Sequence, residues 1–343
     1  MERSPIEMPY GGEHDPGTSA AATRVHEIED AASQPIAAPS GGWIRVGTAS
    51  WTDPTMTASG VFYPREADTA EERLAYYARR FPVVEVDATY YALPSPATAE
   101  LWVRRTPPDF TFDVKAHALM TGQPSETRRL PKVIRDALPA ELASKPRLYA
   151  RDLPAELRDE TWRLFAEGVE PLRASGQLGS VLLQYPRWVF PSSEARDAIL
   201  EARERLGGLA CAVEFRSASW LNEKNAERTL RFLSDHAIPF VMVDGPQGLR
   251  SSIPPMAATT SPDLAVVRFH GRRAETWEAA GIPTVERFRY LYNREELEAW
   301  VPRIREAATT ARETHVLMNN CFANYGTTNA REIAALLEDV RSD

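Results

Sequence analysis

The sequence predicts an α/β protein built as a TIM-type (β/α)8 barrel, irregular, with long connections after strands 3 and 6. Three observations carry this. Eight short apolar runs alternate with stretches of helical length, and strand followed by helix, repeated, makes a parallel sheet. The turn after the first run, "GTASWTDPT", lacks the Gly-x-Gly-x-x-Gly of an open dinucleotide-binding sheet. Charged residues recur at every second position near the carboxyl ends of the runs, where barrel enzymes place their sites.

The elements follow in order. Residues 1–41 are rich in Pro, Gly, Ser, Ala and acids without a sustained apolar period, which predicts a disordered acidic tail. A short helix around "RVHEIEDAA" is the sharper reading of that segment. Residues 42–343 then form one barrel domain. Its strands are read at "IRVGTAS" (44–50), "VVEVDATY" (83–90), "FTFDVKAH" (110–117), "SVLLQY" (180–185), "ACAVEFR" (210–216), "PFVMVD" (239–244), "LAVVRFH" (264–270) and "HVLMNN" (315–320). Helices are expected over 71–80, 96–105, 156–174, 193–206, 226–237 and 294–311, most with apolar residues at helical spacing. More than sixty residues separate the third and fourth runs, and "GPQGLRSSIPPMAATTSPD" joins the sixth to the seventh. Connections of that kind are functional loops or insertions at a barrel mouth.

Composition bounds the function. With 43% hydrophobic residues the 343-residue chain can bury a large core. The net charge is −8, of which residues 1–40 hold −5, so the body is close to neutral and lacks the basic footprint of most nucleic-acid binders. Two cysteines give no disulfide framework and fit a reducing cytoplasm. Cys211 and Cys321 lie at opposite strand ends, so a bridge is not expected, and Cys321, at the mouth with no partner base marked, reads as a small buried thiol rather than a nucleophile. No apolar run approaches the roughly 20 residues that span a bilayer. The expectation is a cytoplasmic protein with no membrane partner and no nucleic-acid partner, its oligomeric state left open.

Parity on the strands selects the site. Glu85, Asp87 and Thr89 share one face of strand 2, Asp113, Lys115 and His117 one face of strand 3, Glu214 and Arg216 one face of strand 5, and Arg268 and His270 one face of strand 7. Val84, Val86, Val114, Val213, Phe215, Val267 and Phe269 take the opposite parity and belong under the helices. The charged faces therefore look inward. Burying an ion costs several kcal/mol, so a purely structural purpose gives little reason for so many.

The segments "GTASWTDP", "FYP", "VEVDATYYALPSPATAELW", "FTFDVKAH", "LLQYP", "AVEFRSASW", "VVRFHGR" and "NNCFANYGTTNA" together resemble the domain of unknown function 72 (YecE-like) family, from Trp43 to about Leu337. The resemblance implies a TIM-type barrel and no established reaction. It carries the family's recurring polar positions onto Trp51, Glu85, Thr89, Tyr91, Lys115, Gln184, Glu214, Arg216, Trp220, Arg268, His270, Gly271, Asn319, Asn320 and Asn329. Where the family commonly has Asn, this chain has Asp87.

The residues themselves suggest an enzyme acting on a small anionic, phosphorylated or carboxylated, metabolite by acid and base catalysis at the carboxyl-end mouth. Its class as isomerase, lyase or hydrolase stays open. Arg216 and Arg268 offer planar forks for an oxyanion. Asn319 and Asn320 can polarise a carbonyl, and Gln184, Trp51, Tyr91 and Trp220 complete the substrate-binding set. Glu214, Lys115 and Glu85 are catalytic candidates, with His270, which titrates nearest neutrality, as the proton shuttle. No cofactor is predicted. A divalent metal held by Glu85, Asp87, Glu214, Asp244 and His270 is the alternative, and would make a hydrolase or an endonuclease-like repair barrel with Trp51, Tyr90, Tyr91, Trp188 and Trp220 for stacking. A non-catalytic ligand-binding barrel is the third reading.

Overall fold

The computed structural model describes residues 16–25, 28 and 30–339. Among them eight parallel strands form a nearly closed barrel: β1 (Trp43–Ala49), β2 (Val83–Val86), β3 (Thr111–Lys115), β4 (Leu178–Tyr185), β5 (Cys211–Phe215), β6 (Val241–Asp244), β7 (Leu264–Phe269) and β8 (Glu313–Met318). Their hydrogen-bonded order runs β5-β4-β3-β2-β1-β8-β7-β6. A single parallel bridge, Val213 to Phe240, and the Val213 N–H donated to the Pro239 carbonyl at 2.8 Å bring the two ends of that order together. These are the eight runs expected from the sequence, and every residue assigned to the helix-facing parity is buried in one apolar core.

The helices do what amphipathic stretches flanking a parallel sheet must do. Helix α1 is Pro16–Arg24, α2 is Ala70–Ala78, α3 is Pro96–Arg104, α4 is Ala155–Ala174, α5 is Ser193–Arg205, α6 is Ala226–Asp235, α7 is Val301–Thr310 and α8 is Tyr325–Asp339. Helix α2 starts at a capping box in which the Thr69 hydroxyl and the Glu72 carboxylate each satisfy the other's backbone N–H. The helix expected over 294–311 is two: Arg294–Glu298 stops before Trp300, and Pro302 sits in the first turn of α7, where its missing N–H costs nothing.

Two parts differ from the sequence reading. The tail expected over 1–41 is ordered in its described portion. Helix α1 lays Ala21 against Phe322 and Tyr325, Arg24 forks onto Glu332 at 2.7 Å, and Ile36–Ala37 pairs antiparallel with β1. Ala-rich helices need few apolar residues when the partner surface supplies them, which is why no period was visible. Residues 1–15 and part of the "RVHEIEDAA" segment lie outside the described residues; the helix observed ends at Arg24. The C-terminal helix α8, absent from the expected helices, is buried on nearly all sides, so its sequence lacks a polar stripe.

Both long connections stand at the mouth. The one after β3 folds on its own apolar cluster of Leu119, Leu130, Ile134, Leu138, Leu148 and Leu153, with Ser125–Glu126 and Arg147–Leu148 as a small antiparallel pair. The one after β6, residues 245–263, has no helix or strand. Among the described residues no helix is long and apolar enough to cross a membrane.

Candidate functional site

The inward faces build two polar layers. The deeper one, toward the amino ends, ties Asp113 to the Ser180 hydroxyl and to His315 Nδ1, both at 2.8 Å. Gly179 beside it has no room for a side chain, because a Cβ there would stand 2.7 Å from Asp113 Oδ1. Next to this layer lies the charged one, in which Glu85 is in register with Asp113 and Gln184 stands four residues beyond Ser180 on β4. Arg268, 1% exposed, donates Nη2 to Glu85 Oε1 at 2.7 Å and Nη1 to Glu214 Oε2. Glu214 Oε1 in turn takes Gln184 Nε2 at 2.9 Å and lies 2.5 Å from Arg216 Nε.

This network sets the protonation states. Burial alone would raise the Glu214 carboxyl, but Arg216, Arg268 and His270 outweigh it and hold Glu214 well below the usual carboxylate range. Glu85 goes the other way. Its burial outweighs Arg268 and Lys115, its pKa is raised, and its Oε2 has no hydrogen-bond partner. His270 is pushed down to about 3, chiefly by burial and then by the Arg216 guanidinium, whose Nη2 lies 3.1 Å from Nε2. The ring is therefore neutral near pH 7. The Asn319 amide nitrogen stands 2.8 Å from Nδ1, and Nε2 lies 3.2 Å from Glu214 Oε1. The proton-shuttle role expected of His270 on the ground of near-neutral titration is corrected accordingly.

Above the layer opens a cavity of about 510 Å³ at the carboxyl ends of the strands. Lys115, Asp87, Arg216, Gln184 and Asn319 form its floor, and Tyr90, Tyr91, Trp188, Trp277 and Phe288 its walls. The Lys115 side-chain amine makes no hydrogen bond or ion pair with a described residue, and its Nζ rests 4.8 Å from the centre of the Tyr90 ring. Burial and the positive charge of Arg268 bring its pKa down to about 8, against the pull of Glu85 and Glu214. Asp87 is raised by burial and by Asp53, with Lys115 opposing. Arg216, its side chain 16% exposed, stands 5.3 Å over the Trp277 ring. Counted as ionised, Glu85, Glu214, Arg216 and Arg268 cancel among themselves. Lys115, lowered, and Asp87, raised, stand beside this cluster.

The structure thus gathers Glu85, Lys115, Gln184, Glu214, Arg216, Arg268, His270 and Asn319 at the mouth, with Tyr91, 45% exposed, on the rim. Several expected roles are corrected. Both ends of the Arg268 fork are occupied by carboxylates, so it is not free to hold a substrate. Asn320 turns away from the cavity to donate to the Tyr290 carbonyl and Asn329 Oδ1. Trp51 packs edge-on against Trp102 and Phe112 in the core, and Trp220, fully buried, stacks on Phe215 while donating Nε1 to the Val189 carbonyl. Side-chain parity fixes direction, but a residue just past a strand end no longer obeys it, and Trp51, Trp220 and Asn320 are of that kind.

Most side chains of the metal alternative have other partners. Asp244 is spent on Arg272, Tyr292 and Trp300, each within 2.9 Å, and Arg268 occupies Glu85 and Glu214. Among the described residues no group of three or more His, Cys, Asp or Glu side chains is arranged to hold a metal ion. Cys321 donates to the Ala49 carbonyl at 3.1 Å, burial raises its pKa, and it and Cys211 are both free thiols.

The sequence reading missed the wall after β7. Trp277 Nε1 donates to Ser251 Oγ at 3.0 Å, and the Ser251 N–H donates to Glu278, which clasps the connection after β6 to the loop after β7. Tyr90 donates to Gln123 Oε1 and Gln123 Nε2 to the Gln184 carbonyl, which joins the insertion after β3 to the floor. No strand periodicity reaches these loop residues; the aromatic content of 277–290 was the available signal.

Comparison with known proteins bears on the family and the fold. A family model described as "Protein of unknown function DUF72" matches residues 45–343. The UPF0759 protein YunF of Bacillus subtilis (strain 168) is 28% identical over 298 residues, which is 86% of this chain and 95% of that one. Crystal structures of DUF72 family proteins superpose on the chain. The one from Thermotoga maritima MSB8 has a TM-score of 0.66 and 32% identity, covering 86% of this chain and 99% of the other. The one from Enterococcus faecalis V583 has a TM-score of 0.68 and 25% identity, covering 86% and 95%.

Proposed function

The chain belongs to the DUF72 family of proteins of unknown function, and from that premise we propose that it is an enzyme acting on a small carboxylated or phosphorylated metabolite at the barrel mouth. The observation that carries this reading is the pairing within one cavity of an anion-binding group, Arg216, with two groups poised to exchange protons, Lys115 and Asp87. Glu214 lies against Nε of the Arg216 guanidinium and His270 against Nη2, and the side of the group that lines the cavity is the one available to a carboxylate or phosphate. A general base works best with a pKa near the working pH, which favours Lys115 over the strongly depressed His270. His270 and Gln184 then position Glu214, and Asn319 presents its amide to the substrate. Trp277 and Phe288 cover the charged floor, and partial exclusion of water strengthens each polar contact made there.

The test is thermal. Phosphate or a small carboxylate raises the unfolding midpoint in a dose-dependent way, because a ligand bound only by the folded state stabilises by mass action. Sulfate at matched ionic strength separates site binding from salting effects. Arg216→Lys keeps the charge and loses the fork, so its anion-dependent shift is smaller than that of the wild type. Equal shifts in the two proteins refute the reading.

A further inference from the structure

Of the 40 basic residues in the chain only four are lysines: Lys115, Lys132, Lys145 and Lys224. The last three are exposed, and Lys132 is paired with Asp136 on the surface. Lys115 alone stands inside, at the carboxyl end of β3, among cations that are otherwise all arginine. An arginine would serve a structural ion pair at least as well, since it is always charged and holds carboxylates with two parallel bonds. What lysine offers and arginine does not is an amine that can lose its proton and attack. The surroundings agree. Lys115 Nζ has no carboxylate partner among the described residues and lies against the face of Tyr90. Arg216, which shares its cavity, is close enough for the two charges to interact.

We propose that Lys115 is the covalent nucleophile of this site, condensing with the carbonyl of a small 2-oxo acid whose carboxylate is held by Arg216. The proposal rests on the anion-site reading above. In the first step the Nζ lone pair bonds to the carbonyl carbon while the C=O π pair moves to oxygen; the oxygen takes a proton and the nitrogen, now cationic, gives one up, which leaves a neutral carbinolamine. In the second, that hydroxyl takes another proton and leaves as water as the nitrogen lone pair forms the C=N bond. Amine, carbonyl and one proton thus become a protonated imine and water, with no change of oxidation state. Asp87, on the same cavity floor and with its carboxyl raised, is the nearby group able to hand over and recover the proton. Burial supports the first step as well. With a pKa of about 8 instead of 10.5, Lys115 carries roughly two orders of magnitude more free amine at neutral pH than a surface lysine. A protonated imine next to a bound carboxylate is an electron sink, the chemistry of lyases and aldol-type enzymes.

The experiment is reductive trapping of the full-length protein with pyruvate or glyoxylate and sodium cyanoborohydride, read by intact mass and by mapping of the four lysines. The expected result is one reduced adduct, on Lys115, forming far faster than on Lys132, Lys145 or Lys224 and absent from Lys115→Arg, which keeps the charge but cannot form the imine. The thermal midpoint with the same oxo acids is measured alongside. A midpoint shift without an adduct overturns the imine and leaves the anion site standing. Neither shift nor adduct overturns both. Labelling spread evenly over the four lysines also overturns the proposal.

Discussion

At the scale of single residues, the charged layer is held by one guanidinium. Removing Arg268 leaves Glu85 and Glu214 buried without their shared partner, and a stranded buried charge costs about 3–5 kcal/mol. Arg268→Met is therefore expected to lose that much in urea denaturation, and the triple change with Glu85→Gln and Glu214→Gln to recover a large part of it. A loss below about 1 kcal/mol for the single change would mean the layer is wet. His270 gives a pH signature with a definite sign. Its folded pKa is near 3 and its ordinary value 6.5, so as pH falls through that window the unfolded chain binds a proton that the folded ring refuses. Stability is thus lost from pH 6.5 down to 3, in the same direction as the loss from Glu214, whose folded pKa is also lowered. His270→Gln removes the imidazole share, so its stability curve is flatter than that of the wild type between pH 6.5 and 4.5. Parallel curves would place the imidazolium in the folded state. The charges at this scale were legible in the sequence because alternation along a strand assigns faces. Which carboxylates Arg268 takes was not, since Glu214 and Glu85 stand 54 and 183 positions away in the chain.

At the scale of elements, the turn after β7 and the first helix carry distinct expectations. Gly271 has φ +81°, and a Cβ there would meet the Tyr290 Cβ at 2.6 Å. Gly271→Ala combines a disfavoured backbone with a clash against the loop that carries Phe288, so a stability loss of about 1–3 kcal/mol is expected. An unchanged midpoint would show that the loop gives way. Helix α1 docks through Ala21, the buried Thr18 and the Arg24 fork on Glu332. Deleting residues 1–41 also removes the Ile36–Ala37 pairing, and in a chain of this size each kcal/mol lost lowers the midpoint by about 2–4 °C. A fall of several degrees in differential scanning fluorimetry is expected, and an unchanged midpoint would show that the segment contributes nothing. Strands were the most legible elements: all eight stand where short β-branched runs predicted them. Helices α1 and α8 were not, one because it is nearly all small residues and the other because it is buried all round. Neither shows the period that reveals a helix with one wet face.

At the scale of the whole molecule, the barrel collects charges from four strands at one end, and three loops roof them. Eight strand-helix repeats were enough to read the barrel architecture. The roof was not readable, because loop aromatics such as Trp277 and Phe288 follow no period and acquire meaning only when the connections after β6 and β7 lock together through Ser251 and Glu278. The central claim is that this arrangement leaves Lys115 as a titratable amine at an anion-binding mouth, apart from the self-neutral cluster beneath it. The most direct measurement is NMR titration of protein labelled at the lysine Cε carbons, which gives four signals for four lysines. One signal, missing from Lys115→Met, is expected to titrate near pH 8 and to move when phosphate or pyruvate is added. Four signals that all titrate near 10.5 and ignore both anions would contradict the account.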